Sequence, residues 1–164
     1  MKTKILLKTI LFATFLCPFF DLKASQLPIP RFVSTRYNEV NIRSGPGLRY
    51  PIVWVYKQNN MPLEIIGEFD VWRKVKDIDG DEGWVNKNML TGRRNFMVSN
   101  ESGAFLYQKE VKGFVKMAIL EQGVMGKIIK CHSLDDYCYV NVSDFEGFIK
   151  RLDIFGVYNY EDVD

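Results

Sequence analysis

Apolar residues along this chain fall in short runs, and none of the runs keeps a helical period. Ile52–Tyr56 (IVWVY), Leu63–Gly67 (LEIIG), Val71–Lys76 (VWRKVK) and Gly83–Val85 (GWV) are rich in β-branched and aromatic residues, which suit a pleated surface. Between them lie turn-prone clusters: Arg43–Gly47 (RSGPG), Lys57–Asn60 (KQNN) and Asp77–Glu82 (DIDGDE). Several short strands at close, regular spacing predict a small all-β sandwich or barrel. In VWRKVK, Val71, Arg73 and Val75 share one face and Trp72, Lys74 and Lys76 the other. Neither face is purely apolar, so the alternation predicts a strand without deciding its buried side.

The layout occurs twice. Leu63–Ile66 aligns with Gly126–Ile129, Trp72–Val75 with Tyr137–Val140, and Gly83–Trp84–Val85 with Gly147–Phe148–Ile149, at an offset of 63 to 65 residues. Lys57–Asn60 has its counterpart in Leu120–Gly123. One strand-rich module used twice is the expected organisation, over residues 31–92 and 96–158, with Thr91–Asn95 (TGRRN) as a polar linker and Tyr160–Asp164 as an acidic tail. A module of about 60 residues is near the lower limit for a self-sufficient core. Packing of one module on the other, or a covalent staple, would help. The second module lacks tryptophan, from which a poorer aromatic core is expected.

Residues 1–24 read as a secretory signal peptide. Lys2, Lys4 and Lys8 precede the apolar run Thr9–Phe20, and Ala24 supplies a small residue for cleavage. An uncleaved anchor is the rival reading, but the run is shorter than the roughly 20 residues a spanning helix needs. Pro18 interrupts it as well. Leu16 before Cys17 is too large for a typical lipoprotein site. The expected location is therefore periplasmic or secreted. The formal charge of +2 also arises in this leader, and the remaining chain is close to neutral. A near-neutral chain lacks the positive field of a nucleic-acid binder.

Beyond the leader only Cys131 and Cys138 remain, an even number for an oxidising compartment. They flank a polar stretch and can face each other across a hairpin, which predicts a structural disulfide. Their spacing fits neither a CxxC redox motif nor a zinc knuckle. Cys131 and His132, adjacent in an extended chain, would point to opposite faces and spoil a thiolate–imidazole pair. His132 is the only histidine, and no Walker loop, GxSxG elbow or HExxH helix is present. No enzyme activity, metal or cofactor is expected. The acidic run DIDGDE has its glycine at the fourth position rather than the sixth of a calcium loop, and reads as a hairpin turn.

Val40–Gly47 (VNIRSGPG), together with the closing Gly83–Trp84–Val85, resembles the bacterial SH3 (SH3b) domain family over about Arg31 to Gly92. The resemblance implies two small SH3-like β-barrels in tandem. In the second, Ala104–Tyr107 stands in place of the Asn-Ile-Arg triplet and no Gly-Pro-Gly follows, so that copy is divergent. It also implies a targeting or binding role, with peptidoglycan or an envelope protein segment as partner. Gly45 and Gly47 are expected to supply the backbone angles of a reversing loop around Pro46. Gly83 is expected to let two strands approach, and Trp84 to enter the barrel core.

Candidate ligand contacts are Asn41, Arg43, Tyr50, Trp54 and Trp72, placed beside the loop or at strand ends, with Tyr37 nearby. Aromatic platforms with nearby hydrogen-bond donors suit both sugars and extended peptides. For Tyr50 and Trp54 platform and core readings both stand. Trp72 leans to core or rim, and Arg43 can equally staple the loop. Arg73, Lys74, Lys76 and Arg93–Arg94 form a basic strip that reads as a solvated face or as an attractor of anionic polymers. The first functional expectation is a non-catalytic module recognising cell-wall peptide or glycan. The alternative is an envelope interaction or scaffold subunit that uses a strand edge or the groove between modules.

Overall fold

A computed structural model describes residues 27–164. The leader, with Cys17, lies outside them. The first half contains β1 (Arg31–Thr35), β2 (Val40–Arg43), β3 (Ile52–Tyr56), β4 (Pro62–Phe69), β5 (Trp72–Lys76), β6 (Glu82–Asn86) and β7 (Leu90–Thr91). The second contains β8 (Asn95–Val98), β9 (Ala104–Glu110), β10 (Gly113–Leu120), β11 (Met125–Cys131), β12 (Tyr137–Val142), β13 (Phe145–Lys150) and β14 (Ile154–Phe155). A single 3-10 turn precedes the last strand of each half, at Lys87–Met89 and Arg151–Asp153. No α-helix occurs among the described residues.

Each half forms one antiparallel seven-stranded sheet. Their orders, β3-β2-β6-β5-β4-β1-β7 and β10-β9-β13-β12-β11-β8-β14, are the same order used twice. Both edges of the first sheet, through Trp54 and Leu90, pack on one core built around Val40, Ile42, Leu63, Ile65, Val75 and Val85. The second sheet closes likewise, with Leu120 and Ile154 of its edge strands on the core of Phe96, Leu106, Val140 and Ile149. A sheet whose two edges reach a common core is curled into a small open barrel.

The register is alike in the two halves at several matching positions. Ile65 faces Val75 and Ile128 faces Val140, and a bulge follows each isoleucine. Asn60 and Gly123 both take left-handed backbone, at φ 59° and 83°, and donate to Thr35 and Val98 carbonyls. Glu68 and Arg73, an ion pair at 3.0 Å in the first barrel, hold the positions of Cys131 and Cys138 in the second. Those cysteines are bonded and buried in the second core. One barrel closes this end electrostatically and the other covalently.

The polar linker and the acidic tail are both packed. Asn95 is buried and opens β8, and its Nδ2 donates to Ser34 Oγ at 2.9 Å. Phe32 of the first barrel meets Phe155 edge-on at 5.0 Å and Tyr158 at 4.6 Å. Arg94 lies over the Phe32 ring and binds Glu161, while the Tyr158 hydroxyl donates to Glu64 at 2.8 Å. These contacts join the barrels in a continuous seam. The tail folds back, with Val163 and Cys131 exchanging both backbone hydrogen bonds at 2.9 and 2.8 Å. Buried Arg151 supports this return by donating to the carbonyls of Tyr158, Glu161, His132 and Asp135. Linker and tail look solvated in sequence because their partners lie far away along the chain.

Candidate functional site

The RSGPG loop is held from within. Arg43 Nη1 donates to the carbonyls of Tyr50 at 2.7 Å and Leu48 at 3.3 Å, so Arg43 staples the loop and its head group is occupied. Gly45 and Gly47 do not take left-handed backbone. Their role is space. A Cβ on Gly45 would stand 2.5 Å from the Tyr50 ring, and one on Gly47 would touch its other edge at 3.4 Å. Tyr50 thus lies across the loop, with Arg49 against its ring and hydroxyl and Pro46 half-buried between the glycines. A Cβ on Gly83 would come within 2.2 Å of Ile42 Cγ2, so the missing side chain lets the strands approach.

Trp84 sits differently from expectation. Trp84 is half-buried on the outer face of β6, opposite Arg43 and Lys74, while Val85 is the residue in the core. The cause is parity: Gly83 faces core residue Val75, so its neighbour must point outward. Trp72 shares the outer face with Lys74 but is 8% exposed, too covered to serve as an open platform. Trp54 is opposite Ile42, half-buried against the core, and its buried Nε1 has no hydrogen-bond partner. Asn41 and Tyr37 are exposed.

Four of the five residues of the basic strip, all but Arg93, are paired in place. Arg73 pairs with Glu68, Lys74 with Glu82, Lys76 with Glu64 and Arg94 with Glu161. Within DIDGDE, Asp77 Oδ1 accepts from the backbone N–H of Asp79 and Asp81, and Oδ2 accepts from the Tyr56 hydroxyl at 2.7 Å. Burial, and then this bond to Asp77, push the Tyr56 hydroxyl well above its ordinary range. The segment is a closed hairpin turn.

A larger aromatic cluster, half-buried except for exposed Phe114, lies on the second barrel. Phe105 and Tyr107 of β9, Phe114 of β10, Tyr137 and Tyr139 of β12 and Phe148 of β13 form one connected row. Phe114 stacks on Tyr137 at 4.5 Å, and Tyr139 lies 5.0 Å from Phe148. Lys116 Nζ sits 3.6 Å over Phe105, and Lys109 approaches Phe148 from the other end. Beside the row is a hollow of about 300 Å³ with Phe148 and Tyr139 as its apolar side and Gln108, Lys109 and Glu146 as its polar side. Tyr139 donates to Glu146 at 2.7 Å, and this bond raises the Tyr139 hydroxyl above its usual value. The register shows what could have revealed the row: Phe105, Tyr107, Tyr137, Tyr139 and Phe148 occupy the outer positions of Asn41, Arg43, Trp72, Lys74 and Trp84. The second barrel thus carries a half-buried aromatic row on the face that holds Asn41, Arg43 and Trp84 in the first, with Phe114 as its exposed member.

A curled antiparallel sheet with a stapled Gly-Pro-Gly loop and a Gly-aromatic-aliphatic closing strand defines a small β-barrel of the SH3 type. Residues 36–92 match the bacterial SH3 domain family, to which this part of the chain is similar. No curated protein matches the chain in sequence. Among solved structures, NlpC2 from Trichomonas vaginalis is similar at 14% identity and a TM-score of 0.35, over 85% of this chain and 52% of that one. NlpC1 from the same organism is similar at 14% identity and a TM-score of 0.35, over 80% and 47%. The chain thus spans about half the length of these two proteins.

Proposed function

We propose that this is an exported, non-catalytic binding module of the cell envelope that recognises peptidoglycan without turning it over. The observation that carries this reading is the aromatic row with its polar-sided hollow. Pyranose rings and extended peptides both pack on aromatic faces while edge donors and acceptors fix their orientation. Lys109, Gln108 and Glu146 supply such groups beside Phe148 and Tyr139. The bacterial SH3 match and the leader-like N-terminus agree with a role outside the cytoplasm.

Sedimentation of the protein with insoluble purified peptidoglycan tests the proposal. The protein should pellet, and Phe148→Ala should weaken capture by about tenfold or more, on the scale of one lost aromatic contact. Tyr139→Phe, which keeps the ring, should retain most of it. A protein that stays in the supernatant at every load overturns the reading.

A second reading has its own observation. β10 is a sheet edge whose residues Gly113 to Ile119 are all exposed, Phe114, Val115, Met117 and Ile119 among them. An apolar edge with free backbone groups is a template for adding a strand from another protein. An envelope scaffold subunit would use this edge, remain in the supernatant above, and lose its partner on Val115→Pro.

A further inference from the structure

Where the two barrels meet, the β3–β4 turn of the first (Gln58, Asn59, Asn60) faces the second across a cleft of about 360 Å³. The opposing wall is a row across three strands. Lys127 of β11 is the direct cross-strand neighbour of Asn95 on β8 and of Asn141 on β12. Directly opposed residues hold their Cβ atoms about 5 Å apart on one face, so the lysine side chain leaves the sheet between two amide side chains. Asn95 is tied to Ser34 across the seam, which sets the floor. The side chains of Gln58, Asn59, Asn60, Lys127 and Asn141 make no hydrogen bond or ion pair among the described residues.

The internal repeat shows that the cation stands out of pattern. In the first barrel the equivalent facing positions are Glu64 and Lys76, a closed ion pair. In the second, Lys127 replaces the acid and Asn141 the base. The anion is gone, the cation has moved to the acid's place, and amides surround it. A primary amide offers one acceptor and two donors, the same groups a peptide bond requires, and a lysine supplies the charge a carboxylate requires. The cleft has no aromatic wall for a sugar ring.

We infer that the cleft between the barrels binds the terminal carboxylate of an extended peptide, with Lys127 holding the carboxylate and Asn59, Asn60 and Asn141 bonding the adjoining peptide groups. This rests on the binding-module reading and narrows its ligand at this place to peptide rather than glycan. Two sources share the chemistry: the short peptides of the wall, which end in D-residues, and an ordinary protein C-terminus.

The test is titration of the whole protein with N-acetylated trialanine acids of L and of D configuration, and with the corresponding C-terminal amides, followed by the side-chain amide resonances of Asn59, Asn60 and Asn141. The acids should shift these resonances saturably and bind at least tenfold tighter than the amides. Preference for the D acid assigns the wall peptide, and preference for the L acid a protein terminus. Lys127→Gln, an exposed substitution that leaves the core untouched, should abolish the difference between acid and amide. Acid and amide binding alike in the unaltered protein, or no movement of the resonances, overturns the inference. Sedimentation separates the two levels: a protein that pellets with peptidoglycan but fails here keeps its binding role and loses this site.

Discussion

The Phe96 ring occupies the space that a side chain on Gly126 would need: a Cβ there would stand 2.6 Å from Phe96 Cε1 and 2.5 Å from the Asn141 carbonyl oxygen. In the first barrel the same facing positions hold Val33 and Leu63. Two medium side chains in one copy are thus exchanged for a large one and none in the other, and both cores stay filled. Gly126→Ala should destabilise the protein by about 1–3 kcal/mol through overpacking, and Phe96→Ala by about 3–5 kcal/mol through the cavity it leaves. Chemical denaturation measures both. A neutral Gly126→Ala would mean that Phe96 has room to move.

Val85 and Trp84 should respond in the reverse order of their size. Val85 is fully buried and Trp84 half-buried. Val85→Ala should cost about 2–3 kcal/mol and Trp84→Ala about 1–2 kcal/mol, the latter for outer-face packing alone. A larger loss for Trp84→Ala in urea titrations would put the tryptophan back in the core.

The disulfide closes a short hairpin, so its entropic contribution is modest. Replacing Cys131 and Cys138 together by Ala should lower stability by about 2 kcal/mol from lost loop constraint, with some added cavity cost. The melting temperature of the double variant, compared with the parent under non-reducing conditions, reads this directly. An unchanged melting temperature would leave the Val163–Cys131 backbone pairing as sufficient closure.

Acid should loosen the seam through Glu161. Burial opposes ionisation of this carboxyl, but the Arg94 guanidinium and the Tyr158 N–H outweigh it and hold it below its ordinary value of 4.5. A folded-state value lower than the unfolded one means that the stabilisation is complete above about pH 4.5 and is lost as pH falls through the folded value. Melting temperature should therefore fall on acidification in that window, and Glu161→Gln should flatten this part of the profile while lowering stability at neutral pH. A profile unchanged by Glu161→Gln would show that the Arg94 pair adds nothing to folding.

The strands and their duplication were readable because period-two runs and turn residues are local. Ile65 with Ile128, Val75 with Val140, and Gly83 with Gly147 are equivalent in register as they are in sequence. What could not be read was parity. In Gly83–Trp84–Val85 both bulky residues are apolar, and only the cross-strand partner Val75 decides which one points inward. The outer aromatic row was hidden for a related reason, since its six rings are spread over four strands, no more than two to a strand. The seam was hidden because Arg94 and Asn95 find Glu161 and Ser34 more than sixty residues away. Composition alone makes such residues look like a linker.

The contact of Phe32 with Phe155 and Tyr158, backed by the Tyr158–Glu64 bond, has a geometric result. It ties the two barrels through side chains as well as through the chain, so on the proposed binding role a ligand long enough to reach both the ring-lined surface and the inter-barrel recess would gain by tethering, about 10²–10⁴ over either place alone.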